Sequence, residues 1–223
     1  MCKKHLLILL QILLISCGFG KEKFTVEKIK KLFDKTESWQ YATSELKEKG
    51  RVFSVSNLID EDTNTCWATR INGGVNEEVL IFFSPPDLDL GEKWQKGIGI
   101  INGFSKNKSL YYANNRAKDV EIKLYRMLVD GTSDRILCPR MLFIRSINLI
   151  EQTNIKLEDE FGGQSKYYFF TDLENDSKNN KIKFGNITAS FFVEYALVLK
   201  IKSIYKGSKH NDLCISEIRF LTE

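Results

Sequence analysis

The sequence predicts an all-β fold: an antiparallel sandwich or jelly roll of about eight strands, preceded by one short helix. Two observations carry this. From about residue 40 onward, apolar and polar residues alternate with period two, the pattern of strands with one face on a core and the other in water. The breaks between these runs hold turn residues, and no strong helical periodicity follows the first helix.

Before the strands, Phe24, Val26, Ile29, Leu32 and Phe33 fall near helical spacing with Lys and Glu between them. Residues 18–36 therefore read as a tether leading into an amphipathic helix that packs on the domain or on a partner. Strands are expected at 78–83, 97–104, 141–149, 166–171 and 181–187. Alternation is clearest where Val120, Ile122 and Leu124 interleave with Glu121 and Lys123. It recurs where Val193, Tyr195, Leu197, Leu199 and Ile201 interleave with Glu194 and Lys200, and where Ile218 and Phe220 flank Arg219. Turn chemistry separates them at Ser84-Pro85-Pro86-Asp87, Asp130-Gly131, Gly162-Gly163, Asn175-Asp176 and Lys206-Gly207. Trp67 opens a strand and reads as a buried anchor, and Trp39 as a packing residue.

The first residues carry a different signal. Lys3 and Lys4 precede an apolar run from Leu6 to Ile15, interrupted by Gln11, and Leu14-Ile15-Ser16-Cys17-Gly18 follows. A charged start, an apolar core and a small-residue exit make a secretory signal. The apolar run is well short of the roughly twenty residues a spanning helix needs. With cysteine at the cleavage point, the segment resembles a bacterial lipobox. That resemblance implies cleavage before Cys17, lipid on Cys17, and a place in the bacterial cell envelope, at the outer membrane or surface rather than the inner membrane. The expected division is 1–16 signal peptide, 17–37 lipidated tether and helix, and 38–223 sandwich domain.

Loss of residues 1–16 lowers the formal charge from +4 to +2, and the remaining charges are interspersed. A basic face for nucleic acid is not indicated. Beyond Cys17, the cysteines of the mature chain are Cys66, Cys138 and Cys214; their spacings fit no zinc motif, and they read as buried thiols.

The most informative segment is 56–67, Ser-Asn-Leu-Ile-Asp-Glu-Asp-Thr-Asn-Thr-Cys-Trp. It is an oxygen-rich loop ending on an aromatic anchor, and it lacks the glycine and final glutamate of an EF-hand. It resembles the Asp-rich loop of discoidin-like (coagulation factor 5/8 type C) domains. Three further stretches resemble the NAD-glycohydrolase-associated, glycan-binding subgroup of that family: Asn102-Gly103-Phe104 closing a strand, Asn114-Asn115-Arg116-Ala117-Lys118 entering the next, and Ser216-Glu217-Ile218 in the last. The four motifs stand in the family's order.

The resemblance implies an eight-stranded antiparallel jelly roll with neighbouring termini and ligand-binding loops at one end. Relatives bind glycans, lipid headgroups or proteins. In polar loops, Trp94, Tyr111 and Tyr112 are candidate stacking surfaces for a sugar, with Asn102, Lys106, Asn115 and Arg116 as hydrogen-bonding partners. The alternative for Asn115 and Arg116 is a capped turn and an ion pair. Carried over from sugar-binding relatives, Asp60, Asp62, Thr65 and Glu217 are candidate ligands of a structural calcium. The alternative is no cofactor, with a self-capped turn. The same placement would bring Cys66 to Cys214, where a disulfide could form. The chain departs from the family in its extra helix, in Cys66, and in a long stretch at 148–161 without a motif.

Catalysis is not expected. The mature chain has a single histidine, His210, with no nucleophile motif beside it and no phosphate loop. The favoured function is a membrane-anchored, non-catalytic lipoprotein, such as an adhesin, that binds carbohydrate or another surface ligand. The alternative is an envelope assembly lipoprotein that binds a protein partner; a hydrolase ranks below both.

Overall fold

Alternation along the long strands sorts their side chains into two cores, one on each face of the same sheet layer. Val79, Ile81 and Phe83 face one way, and Leu80 and Phe82 the other. Leu197, Leu199 and Ile201 are likewise separated from Ala196 and Val198. Both faces are apolar because both are covered.

A computed structural model describes residues 23–35, 38–84, 95–130, 143–174, 181–184, 187–190 and 192–222. Cys17 with the signal segment, Trp94, Cys138 and the turns expected at 85–87, 131 and 175–176 lie outside the described residues. The elements are α1 (Val26–Lys35), β1 (Gln40–Ala42), β2 (Leu46–Glu48), β3 (Arg51–Phe53), β4 (Trp67–Thr69), β5 (Glu78–Phe83), β6 (Gln95–Asn102) and α2 (Lys108–Ala113). Then come β7 (Asn115–Asp130), β8 (Phe143–Lys156), β9 (Ser165–Tyr168), β10 (Lys181–Phe184), β11 (Ile187–Ser190), β12 (Phe192–Tyr205) and β13 (Leu213–Thr222).

One layer runs β1–β5–β12–β7–β8, and the other β4–β13–β6–β9. They meet where Leu213 and Cys214 pair in parallel with Asn115 and Arg116; the named strand pairs are otherwise antiparallel. The main core draws on both layers, with Val79, Ile122, Leu124, Leu197 and Leu199 from the first and Ile98, Ile100, Ile215 and Ile218 from the second. The predicted all-β sandwich is the fold observed.

The differences from the sequence reading have local causes. β1 to β4 are three residues each, too short to show alternation. Helix α2 is six residues long and is set by its cap, where Asn107 Oδ1 accepts from Leu110 N at 2.9 Å. Much of the motif-less stretch at 148–161 is the second half of β8. Pairing with β7 steps from Tyr125↔Leu149 to Leu124↔Glu151, so Ile150 is a bulge that breaks the alternation there. Trp67 is buried as expected, its Nε1 donating to Ser44 O at 2.9 Å. Trp39 is instead 53% exposed.

Helix α1 lies on the outer face of the first layer. Phe24, Ile29 and Phe33 are buried against Leu80, Phe82, Met127 and Val198, and the Phe33 and Phe82 rings meet edge to face at 5.3 Å. Burying each such side chain contributes about 1.5–3 kcal/mol. Two buried carboxylates fix the start of this segment. Glu78 Oε2 accepts from the backbone N of Lys23 at 2.9 Å and of Phe24 at 2.7 Å. Glu77 accepts from Lys23 Nζ, Thr43 Oγ1 and Ser44 Oγ. Burial alone would raise the Glu77 carboxyl, but these donors outweigh it and hold it below the usual carboxylate range.

The sandwich has two ends. At the first lie the starts of β5, β7 and β13, the ends of β6 and β12, and helix α2. At the second lie the start of β6 and the ends of β7, β9 and β13. β1 runs toward the first end, whereas α1 runs the opposite way and brings its Lys23 side to that same end.

Candidate functional site

The first end is built on polar pins from the recognised motifs. Asn102 is buried: its Oδ1 accepts from Gly103 N and Ala117 N at 3.0 Å, and its Nδ2 donates to Ala117 O at 2.6 Å. It thus ties the end of β6 to the start of β7. Gly103 follows with φ +67, and a Cβ there would sit 2.6 Å from the Tyr111 ring. Asn115 Nδ2 donates to Gly73 O and Asn211 Oδ1 at 3.1 Å, while its Oδ1 accepts from Gly207 N at 2.8 Å. Arg116 is also buried and forms a two-pronged pair with Asp159, at 2.7 and 3.0 Å. Its guanidinium lies 5.3 Å from both the Tyr111 and Tyr112 rings.

Tyr111, Tyr112, Asn115 and Arg116 are therefore gathered at one end, with Asn102 beneath them. Tyr111 is enclosed by Gly103, Tyr112, Phe161 and Arg116, and burial with the facing Asp159 charge pushes its phenol pKa up. The polar atoms of Asn102, Asn115 and Arg116 are taken up within the fold. Tyr112 and Lys106 reach the surface.

Beside α2 opens a cleft of about 180 Å3, lined by Leu46, Phe53, Phe104, Leu110, Asn114 and His210, with Glu48, Asp212, Ala68 and Cys214 also contributing. The Phe53 and Phe104 rings stand edge to face at 6.4 Å, both half-buried. Arg70 pairs with Asp212 at 2.6 and 3.0 Å at its margin. Phe104 and His210 lie in stretches that the sequence reading reached for other reasons. Phe53, Arg70 and Asp159 carried no signal, because their partners are tens to more than a hundred residues away.

Cysteine, histidine and aspartate share this cleft, yet they do not form a nucleophilic set. Contact with Cys66 and burial push the Cys214 thiol well above its ordinary value, and Asp212 is paired with Arg70. Catalytic cysteines need the opposite shift. Cys66 and Cys214 are both buried free thiols in contact with each other.

The Asp-rich loop closes on itself. Asp60 Oδ1 accepts from Asp62 N at 2.9 Å and its Oδ2 from Thr65 Oγ1 at 2.7 Å. Asp62 Oδ1 accepts from Asn64 N and Nδ2, both at 2.8 Å. Among the described residues, no three His, Cys, Asp or Glu side chains gather so as to hold a metal ion. Glu217, fully buried on β13, meets this loop at Glu61: its Oε1 accepts from Glu61 N at 3.4 Å, and its Oε2 has no hydrogen-bond partner. Burial first, and the Asp60 charge next, raise its pKa from 4.5 to about 7.

Residues 33–132 match the model of the NAD glycohydrolase translocation F5/8 type C domain. Over that stretch, a little under half of its length, the chain is similar to a discoidin-like F5/8 type C domain. The strands continue past the matched stretch to residue 222. Three solved structures are similar to the chain. The family 32 carbohydrate-binding module (CBM32) of Clostridium perfringens NanJ, in complex with galactose, is 14% identical; the match covers 80% of this chain and 89% of that one, with a TM-score of 0.36. CpGH89CBM32-5, also from Clostridium perfringens and in complex with GalNAc-β-1,3-galactose, is 14% identical, covering 80% and 91%, with a TM-score of 0.36. The CBM32 of AlyQ, in complex with 4,5-unsaturated mannuronic acid, is 8% identical, covering 82% and 92%, with a TM-score of 0.35. No curated protein matches the sequence.

Proposed function

We propose that this chain is a non-catalytic binding protein that holds carbohydrate in the cleft between Phe53 and Phe104. A lipid on Cys17 tethers it to the bacterial cell envelope, at the outer membrane or cell surface. The observation that carries the reading is the cleft itself. It combines two half-buried aromatic rings with an amide, an imidazole and an ion-paired carboxylate at the loop end of an F5/8 type C sandwich. Ring faces pack on the C–H surface of a sugar, and the polar groups read its hydroxyls. The small volume suits one pyranose ring. The raised Cys214 thiol argues against covalent chemistry at the same place.

Titration calorimetry with galactose, GalNAc-β-1,3-galactose and 4,5-unsaturated mannuronic acid, the sugars held by the similar structures, tests the reading. Binding by the intact protein, weakened at least about tenfold in Phe104→Ala and His210→Ala, is expected. No heat with any of these sugars, or undiminished binding in both variants, would overturn it. Labelling with a radioactive fatty acid, lost in Cys17→Ser, tests the anchor.

A further inference from the structure

At the second end of the sandwich a larger cleft, of about 300 Å3, is lined by Gln95 and Lys96 from the start of β6 and by residues 168–174. We propose that it is a second glycan site, in which the exposed rings of Tyr168 and Phe170 stack on successive pyranose units of an oligosaccharide chain. The inference goes beyond the cleft at the first end and does not depend on it, since the two lie at opposite ends of β6.

Three observations converge. Tyr168 is 59% exposed and Phe170 84%, the two most exposed aromatic residues among those described. Burial alternates from Lys166 to Phe170, leaving Tyr168 and Phe170 outermost; β9 ends at Tyr168, and the Phe170 ring leans edge to face on Tyr167 at 6.2 Å. Between and before them, Phe169 and Tyr167 pack inward on the main core. The segment is a β-edge turned into a two-ring platform.

The platform is held rigidly by a buried carboxylate. Glu151 of β8 accepts from the Tyr167 hydroxyl, and its Oε2 accepts from Phe170 N at 3.0 Å and Thr171 N at 3.2 Å. Phe169 N donates to Lys96 O at 2.8 Å. An ordered backbone beneath exposed rings cuts the entropy lost when a ligand is gripped.

The same bonds decide what the occupant is. An added strand from a protein partner would need free backbone donors along the edge. β9 is only four residues long, and the amides of residues 169 to 171 that follow it are already bonded. Recognition falls to side chains: two ring faces flanked by an amide, an ammonium and the carboxylates of Asp172 and Glu174. Mixed donors and acceptors around aromatic faces fit a polyhydroxylated ring better than an apolar peptide.

The test is native affinity electrophoresis of the full chain through gels containing galactomannan, xyloglucan, chitosan or hyaluronate, with Tyr168→Ala/Phe170→Ala and Phe104→Ala alongside. Retardation of the intact protein by at least one polymer is expected, with a loss of at least about tenfold in affinity in the double variant and none in Phe104→Ala. Both replaced rings are exposed, so an unchanged unfolding midpoint confirms an intact fold. No retardation by any polymer, or equal retardation of the double variant, would refute the site. So would sedimentation showing a dimer that the double variant abolishes, because the rings would then serve a second copy. Failure of the first-cleft reading is seen separately, in the calorimetry of Phe104→Ala and His210→Ala.

Discussion

Glu217 makes the stability of this protein depend on pH in a direction opposite to that of most carboxylates. Its unfolded value is 4.5 and its folded value about 7. Below about pH 4.5 both states hold the proton and nothing is lost. As pH rises, the unfolded chain releases it first, while the folded chain must keep it or ionise a buried group. Stability therefore falls across the window from about 4.5 to about 7 and is level above it. The difference corresponds to a ceiling of about 3 kcal/mol, at 1.36 kcal/mol per pKa unit. Water in the cleft formed by Ile59, Glu61 and Arg219 screens part of it, leaving about 1–2 kcal/mol. Glu217→Gln keeps the shape and removes the titration. In chelator, thermal melts should show this variant more stable than the wild type by about 3–6 °C at about pH 8 and equal to it at about pH 4. Parallel melting curves for the two proteins across this range would refute the reasoning. Calcium added at about pH 8 gives a separate reading: a rise in the wild-type midpoint that Glu217→Gln lacks would mean that the orphaned oxygen binds the ion.

Other outcomes follow from the first end. Asp159→Asn leaves the buried Arg116 guanidinium without its counter-charge and should cost about 3 kcal/mol in urea unfolding. Gly103→Ala combines a positive φ with contact on the Tyr111 ring and should cost at least about 2 kcal/mol, read by the same transition. Mild oxidation with a copper–phenanthroline catalyst should link Cys66 to Cys214, since the two thiols already touch. Peptide mapping that finds Cys138 in the bridge instead would count against this.

The strands were legible as an unbroken apolar run where both faces are covered, as in β5, and as a period of two where polar residues interleave, as at Glu194 and Lys200 in β12. They were hidden where a bulge resets it, as at Ile150, and where Asn107 makes a helix by capping rather than by pattern. The motif residues Asn102, Asn115 and Arg116 were found by sequence, but their chemistry was not. Whether an amide faces ligand or backbone depends on partners such as Ala117 and Asp159, which no local spacing reveals. Of the aromatic run expected as a strand at 166–171, only the part up to Tyr168 is one. Its outward rings were not legible, since only Glu151, on a distant strand, fixes which of them turn away from the core.

The paired carboxylates Glu77 and Glu78 acquire a mechanical meaning once the proposed anchor is considered. Six peptide steps separate Cys17 from Lys23, a leash of about 20 Å at full stretch. Because α1 doubles back along the first layer, that leash departs from the end that carries Phe53 and Phe104. If Cys17 carries the proposed lipid, the Tyr168 and Phe170 end would point away from the membrane. Any drag on an attached ligand would be transmitted through the sandwich to the Lys23–Phe24 clamp, loading buried hydrogen bonds before it could peel the helix from the sheet.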